Sequence, residues 1–164
     1  MASKPQVDRI TNRLALYQHQ ISPHSSQHTM AARDPITCHC LNTLSGTPAA
    51  NLPVTLTLLS GPSGASFRAT TNADGRVANW TPVGTDETVP AILAGLETAD
   101  TKTNWSVRFE VGPWYEAQGI ESFWPEVEVK FTVKGRGREG EEGWRHYHVP
   151  VLLGPWNYST YRGS

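Results

Sequence analysis

The stretch that decides the fold is His146-Tyr-His-Val-Pro-Val-Leu-Leu153, close to the carboxyl end of the 164-residue chain. A β-strand sends alternate residues to opposite faces, which divides this stretch cleanly. Its odd-numbered residues, Tyr147 to Leu153, are apolar and suit a core. Its even-numbered residues, beginning with His146 and His148, point the other way. The pattern predicts a strand with two imidazoles on the face that the core does not occupy.

The chain end that follows this strand is also unusual. After a Gly154-Pro155 break, a second short run finishes in Tyr161-Arg-Gly-Ser164. Chain termini are commonly frayed and plain. An end rich in Tyr, Arg and Ser behind a strand with two histidines predicts that these last residues form part of a site.

The same alternation of apolar and polar residues recurs from residue 35 onward. The predicted strands cover Ile36–Leu41, Leu52–Leu59, Phe67–Thr71, Trp105–Val111 and Val127–Val133. Seven or eight short strands without βαβ spacing predict an all-β sandwich of two antiparallel sheets. Residues 114–119 leave room for one short helix, and residues 82–103 are predicted to be a long connection.

Two further polar residues stand out against this pattern. His39 alternates with Cys38 and Cys40, so it is predicted to lie on the non-core face of the first strand. Asn72-Ala-Asp-Gly75 is a strong hairpin signal and places Arg76 at the first position of the next strand. The two cysteines face the core, which favours buried reduced thiols over a metal site or a disulfide framework.

Residues 1–34 lack strand alternation and are predicted to be a flexible extension ahead of a domain covering 35–164. Val7, Ile10, Leu14, Tyr17 and Ile21 recur at spacings of three and four, which is one apolar stripe of a short helix. The segment Arg13 to Ile21 is similar to the N-terminal peroxisomal targeting nonapeptide. It predicts an import receptor as partner and a peroxisomal location, with the cytoplasm as alternative. An incidental amphipathic stretch remains open.

Composition narrows the classes of partner. The net charge of -1 and the 18% of charged residues argue against a nucleic-acid partner, which would need a basic patch. The sequence has no apolar run of transmembrane length, so no membrane partner is predicted.

The histidines and Arg76 carry the chemistry that the sequence supports. Histidine changes charge near neutral pH and serves as a general acid or base. Arginine grips anions and polarised carbonyls. Together they suit hydrolysis of an activated amide or lactam by a positioned water. A zinc site at His39, His146 and His148 and a merely solvated histidine face remain open alternatives. A Ser-His-Asp centre is disfavoured because no Gly-x-Ser-x-Gly elbow is present.

Four stretches together resemble the transthyretin-like 5-hydroxyisourate hydrolase family. They are Ile36-Thr-Cys-His39-Cys-Leu-Asn42, Asn72-Ala-Asp-Gly-Arg76, Glu121-Ser-Phe-Trp-Pro-Glu-Val127, and His146 to Leu153 with the terminal Tyr161-Arg-Gly-Ser164. The likeness covers about residues 35 to 164. The chain departs from the family where Asn42 replaces a common acid and where Gly154 replaces an expected serine.

The resemblance implies a transthyretin fold of two four-stranded sheets with one short helix. It also implies a homotetramer, a dimer of dimers, with active sites in the channel between dimers. The implied reaction is hydrolysis of 5-hydroxyisourate to 2-oxo-4-hydroxy-4-carboxy-5-ureidoimidazoline in urate degradation, without metal or cofactor. The family's other function, a carrier that binds a small aromatic ligand in the central channel, is the alternative. A carrier would have no need of these histidines and would be expected to have a secretory signal.

The same resemblance assigns roles to residues. His39, Arg76 and His148 are the expected catalytic residues, with His148 as the base that activates water. Arg76 is expected to hold the carbonyl and the anionic ring of the substrate. His39, Arg76, Tyr161, Arg162 and Ser164 are expected to bind substrate, and the last three to close and orient the pocket. His146 is expected to support His148.

Overall fold

The computed structural model describes residues 32–60, 64–135, 140 and 144–164. By its internal contacts the chain divides into two units, Met1–Ala32 and Arg33–Ser164, and every strand and helix named below belongs to the second. The predicted amphipathic helix and the targeting segment at 13–21 lie outside the described residues. Within the described ranges no helix is long and apolar enough to cross a membrane.

The described residues form ten strands and two short helices. In chain order these are β1 Ile36–Asn42, β2 Thr47–Pro48, β3 Pro53–Leu58, β4 Ser66–Thr70, β5 Arg76–Val77, β6 Thr81–Val83, α1 Val89–Ala94, β7 Lys102–Phe109, α2 Val111–Glu116, β8 Val127–Lys134, β9 Tyr147–Leu153 and β10 Tyr158–Thr160.

The strands are arranged in two sheets. The first has the order β10-β9-β1-β2, with β5 also paired to β1, and the second has the order β6-β4-β3-β7-β8. Every pairing is antiparallel except the one between β1 and β9, which is parallel over seven residue pairs. The predicted all-β sandwich is confirmed. The parallel pair was not predicted, because alternation along a strand carries no information about the direction of its neighbour.

The helices also differ in detail from the sequence prediction. One lies at Val111–Glu116, near the position predicted, and a second lies at Val89–Ala94 inside the predicted long connection. Thr88 accepts a hydrogen bond from the Ala91 N–H at 3.3 Å, and Pro90 occupies the first turn. These are ordinary helix-start signals. The segment is so short, however, that it shows no complete apolar stripe.

The core lies between the sheets and uses the predicted faces of the strands. Its largest fully buried side chains include Trp105, Tyr115, Phe67 and Phe109. Cys38 and Cys40 are free and buried, and burial raises the pKa of the Cys38 thiol to about 12. The prediction of buried reduced thiols is confirmed. Because the core occupies one face of β1 and β9, the other face is left for their polar residues.

Candidate active site on the outer face of the first sheet

Strand register brings the polar residues of three strands together. The parallel pairing of β1 with β9 sets Thr37 opposite His148. The antiparallel pairing of β1 with β5 sets His39 opposite Arg76. Residues opposite one another on neighbouring strands lie within side-chain reach. Three chain segments that are far apart in sequence therefore meet on one surface.

The hydroxyl of Thr37 is the centre of this surface. Its Oγ1 lies 2.8 Å from Nδ1 of His148 and 3.0 Å from Nε2 of His146. Thr37 is only 5% exposed, so water does not readily replace these bonds. The hydroxyl fixes the orientation of both rings. Sequence reasoning missed Thr37, and its only signal was its position on the histidine face of β1.

The three imidazoles form a row. The ring centroids of His146 and His148 are 6.2 Å apart with planes inclined by 19°, and those of His148 and His39 are 6.5 Å apart with planes inclined by 29°. His148 is therefore the middle ring, with a neighbour on each side. This position distinguishes His148 from His146. Alternation along the strand predicted only that both residues lie on the same face.

The chain end is tied to β9 beside His148. The Gly163 N–H donates to the His148 carbonyl at 2.9 Å, and the Thr160 hydroxyl donates to the Pro150 carbonyl at 2.9 Å. A Cβ on Gly163 would lie 2.7 Å from Cδ2 of His148 and 2.9 Å from Cγ of Pro150. Only glycine allows the backbone to approach the imidazole this closely. That requirement explains the glycine in the terminal Tyr-Arg-Gly-Ser.

A pocket of about 140 Å³ opens beside these groups. The residues of interest that line it are Arg33, Thr37, Arg76, His146, His148 and Ser164. Two guanidinium side chains thus line the same small space as His148. Arg33 was not singled out from the sequence, where it is one basic residue in a stretch without a pattern.

Tyr161 and Arg162 lie elsewhere in the single chain. They line a second pocket, of about 330 Å³, together with His148 and with apolar residues of β8 and β9. Arg162 places its guanidinium carbon 5.8 Å from the ring centroid of Tyr147, and Tyr161 is 61% exposed. The structure brings Arg76, His148 and Ser164 into one pocket with His39 alongside. It does not bring Tyr161 and Arg162 into that pocket.

The electrostatics of the site disfavour the charged forms of His148 and His39. Burial, followed by the positive charge of Arg76, lowers the pKa of His148 to about 4. The same two causes lower the pKa of His39, against an opposing backbone hydrogen bond and carboxylate charge of Asp74. A neutral imidazole retains a lone pair for accepting a proton. His148 is therefore available as a base at neutral pH.

Asn42, the position where the resembled family commonly has an acid, does not face the histidines. Its side chain is buried on the core side of β1, where Oδ1 accepts from the Tyr115 hydroxyl at 3.0 Å and from the Leu44 N–H at 3.1 Å. Both roles require an acceptor oxygen, which an amide supplies. The carboxylate that acts on His39 is Asp74, in the turn before β5. Sequence reasoning read that turn as a hairpin signal only.

The described residues contain no metal-ligand set. In the part of the chain that is described, no three His, Cys, Asp or Glu side chains are grouped so that they could hold a metal ion. The zinc alternative at His39, His146 and His148 therefore has no support from the arrangement of these rings.

Comparison with known proteins places this site in a family. The sequence model of the HIUase/Transthyretin family matches residues 36–163. The chain belongs to this family. Those residues include every strand and the histidine face. The predicted family resemblance is thereby confirmed.

Individual relatives agree with that assignment. A probable 5-hydroxyisourate hydrolase of Schizosaccharomyces pombe is 38% identical over 134 residues, which cover 79% of this chain and 90% of the relative. The structure of the Klebsiella pneumoniae 5-hydroxyisourate hydrolase superposes with a TM-score of 0.55 at 28% identity, covering 79% of this chain and 97% of the other. The structure of transthyretin from Sparus aurata superposes with a TM-score of 0.58 at 23% identity, covering 79% of this chain and 96% of the other. That likeness shows the fold alone.

Proposed function

We propose that the chain is a hydrolase that converts 5-hydroxyisourate to 2-oxo-4-hydroxy-4-carboxy-5-ureidoimidazoline in urate degradation. Family membership and the relatives named as 5-hydroxyisourate hydrolases support it. The observation that carries it is the neutral His148 imidazole, held by Thr37 and lining one pocket with Arg76. That combination is a general base beside a cation, which is what hydrolysis of a cyclic amide by water requires.

The proposed mechanism assigns each residue a physical task. Arg76 holds the carbonyl oxygen of the substrate and stabilises the negative charge that develops there during attack. Nε2 of His148 takes a proton from the attacking water, because Nδ1 is engaged with Thr37. His39 lies on the far side of His148 and binds substrate. Ser164 bounds the pocket, and Tyr161 and Arg162 orient the chain end.

A carrier function is the less favoured alternative. The relatives named as 5-hydroxyisourate hydrolases match at 28–38% identity, whereas transthyretin of Sparus aurata matches at 23% identity. A carrier also gains nothing from a neutral histidine held next to a guanidinium. The arrangement therefore favours chemistry on a small polar substrate.

The test is a coupled spectroscopic assay in which urate oxidase generates 5-hydroxyisourate. Wild-type protein should accelerate its decay, and His148→Ala should lose that acceleration by about 100-fold or more, as expected for removal of a general base. Glu116→Ala, an exposed change on α2, is the control and should retain full activity. No acceleration by the wild type would exclude the hydrolase. Undiminished activity of His148→Ala would remove His148 from the mechanism.

We infer a homotetrameric assembly, a dimer of dimers, on a separate observation. Large apolar side chains on β9 and in the residues after it are exposed in the single chain, namely Leu152 at 39%, Trp156 at 64% and Tyr161 at 61%. An assembly that covers them would bury apolar surface and would close the open histidine face. Sedimentation equilibrium should give about four times the chain mass of 18.0 kDa. A monomer at micromolar concentration would exclude the tetramer.

We further propose peroxisomal targeting by residues 13–21, through an import receptor. The support is the sequence pattern of a basic-aliphatic pair at Arg13-Leu14 and a Gln20-Ile21 pair five residues later. Residues 1–32 fused to a fluorescent protein should give puncta that overlap a peroxisomal marker, and Leu14→Glu should make the signal diffuse. A diffuse signal from the unaltered fusion would leave the cytoplasm as the location.

A further inference from the structure

The Thr37 hydroxyl contacts two imidazole nitrogens but carries only one hydrogen. Nδ1 of His148 is 2.8 Å from Oγ1 and Nε2 of His146 is 3.0 Å from it, so both are within hydrogen-bond distance. Donation by both rings would leave the hydroxyl hydrogen with neither ring as its acceptor. A hydroxyl donates once and accepts through its lone pairs. The hydroxyl uses both its hydrogen and a lone pair on the two rings when one ring accepts from Thr37 while the other donates to it.

This rule leaves two arrangements for the neutral rings. In the first, Nδ1–H of His148 donates to Thr37, and Thr37 donates to the bare Nε2 of His146. In the second, Thr37 donates to the bare Nδ1 of His148, and Nε2–H of His146 donates to Thr37. Both rings are Nδ1–H tautomers in the first arrangement, and both are Nε2–H tautomers in the second. In these two arrangements the tautomers of the two histidines change together.

We propose that Thr37 is a positioning residue that joins His148 and His146 into a single proton relay. The coupling of tautomers is argued from the two contacts of Thr37, and its use in turnover rests on the function proposed above. Thr37 itself does not touch the substrate in this scheme. It acts by deciding which nitrogen of His148 carries the proton.

The proton balance of the relay is complete within these three side chains. The first arrangement leaves Nε2 of His148 bare, so it can take a proton from water while the hydroxide attacks the amide carbonyl. His148 then releases its Nδ1 proton to Oγ1 of Thr37, and Thr37 releases its own hydrogen to Nε2 of His146. His148 ends neutral with its proton on Nε2, and His146 carries the positive charge. When the amide C–N bond breaks, Nε2–H of His148 protonates the leaving nitrogen and the two transfers reverse.

The surroundings favour moving the charge away from His148. Burial and the Arg76 guanidinium both disfavour a protonated His148, as its lowered pKa shows. A base with so low a pKa holds a proton poorly by itself, which limits the driving force for deprotonating water. Passing the proton onward leaves His148 neutral. The parallel register of β1 and β9 and the Gly163 contact hold the His148 ring in place for the transfer.

Nuclear magnetic resonance of the full-length protein tests the coupling directly. Long-range ¹H–¹⁵N correlations identify the tautomer of each ring, and His146→Gln and His148→Gln assign the signals. At about pH 8.5, above the ordinary pKa of histidine, both rings should show the same tautomer or the same mixture. Thr37→Val should abolish that match. His148 as Nδ1–H together with His146 as Nε2–H in the wild type would overturn the proposal.

Kinetics test the use of the relay in turnover. Thr37→Val, which keeps the shape and removes the hydroxyl, should lower kcat by about 10- to 100-fold, the scale of one acid–base contribution, and should leave KM within about twofold. Thr37→Ser should restore most of kcat. Thr57→Val, on β3 of the other sheet, is the matched control and should behave as wild type. A proton inventory should be curved for the wild type and linear for Thr37→Val.

The outcomes separate this proposal from the proposed function. An active wild type with an unchanged kcat in Thr37→Val, or a linear proton inventory in the wild type, would overturn the relay and leave the hydrolase standing. If the wild type does not hydrolyse 5-hydroxyisourate, the function fails, and the resonance measurement still decides the coupling. If Thr37→Val does not fold, Thr37→Ser and the wild-type spectra decide it.

Discussion

Substitution of Gly163 by alanine probes whether the chain end belongs to the site. The new methyl carbon would stand 2.7 Å from Cδ2 of His148 and 2.9 Å from Cγ of Pro150. Carbon atoms in ordinary contact lie about 3.5–4.0 Å apart, so the overlap is nearly an ångström. Pro150 belongs to a strand that is paired on both sides and cannot yield. Either the His148 ring turns or the chain end lifts away.

The magnitudes favour lifting of the chain end. Retaining an overpacked methyl costs about 1–3 kcal/mol. Lifting the last two residues gives up the hydrogen bond from Gly163 to the His148 carbonyl, a net loss of about 0.5–1.5 kcal/mol. We therefore expect Gly163→Ala to lower Tm by only a few degrees, about 2–8 °C for a loss near 1 kcal/mol. Activity should fall on the order of 100-fold, because a displacement near 1 Å in groups that position the substrate can have that effect.

The assay pairs the decay of 5-hydroxyisourate with a thermal melt of the same preparation. Gly95→Ala is the matched control, because a Cβ there would meet its nearest atoms at 3.5 Å, which is ordinary contact. That variant should keep its activity. Full activity of Gly163→Ala, or a loss of stability as large as the loss of activity, would refute the idea that the chain end is tied down for catalysis.

Four further predictions concern the pocket and its support. Because the His148 pKa is lowered from 6.5 to about 4, kcat/KM should stay level as pH falls below 6.5 and should be lost only near pH 4. Arg76→Gln should move the pH of this loss upward, because it removes a positive charge beside His148. Loss of kcat/KM already at pH 6.5 in the wild type would contradict the role of His148 as the base. Because its pKa is lower in the folded chain, His148 binds a proton more readily when the chain is unfolded. Its contribution to the free energy of unfolding, measured by denaturant titration, should therefore decline as pH falls from 6.5 toward 4. Asn42→Ala leaves the Leu44 N–H without its acceptor and the Tyr115 hydroxyl with only the Leu153 carbonyl, so it should cost about 1 kcal/mol of stability in urea melts with kcat/KM unchanged. Lost activity at full stability would place Asn42 in the site. Arg33→Gln removes one of two guanidinium groups at the pocket and should raise KM several-fold with little change in kcat, and an unaltered KM would exclude Arg33 from substrate binding.

The faces of the strands were predictable from the sequence because they depend only on local geometry. A period of two places Ile36, Cys38 and Cys40 in the core, and each of them is at most 1% exposed. The hairpin at Asn72–Gly75 was predictable for a similar reason, since Gly75 adopts a φ of +71° that other residues rarely adopt. The family resemblance depended on the same local stretches and was confirmed by the match over residues 36–163.

Neighbour relations across the sheet were not predictable in this way. Alternation predicted that His39 and His148 avoid the core, but it did not predict that β9 runs parallel to β1 or which residue faces which. Thr37 and His148 are 111 positions apart, and only the register of two distant strands brings them within 2.8 Å. The role of Asn42 likewise appeared only when α2 placed Tyr115 against it.

The sequence by itself therefore determined the two faces of each strand, the turns between them and the family to which the chain belongs. The tertiary structure decided which polar groups meet: Thr37 between two imidazoles, Arg76 across from His39, and Gly163 against His148. The physical reason is that the face of a residue is set by backbone geometry over two or three residues. Contact between distant strands is set by the register and packing of the whole sandwich, which no local pattern encodes.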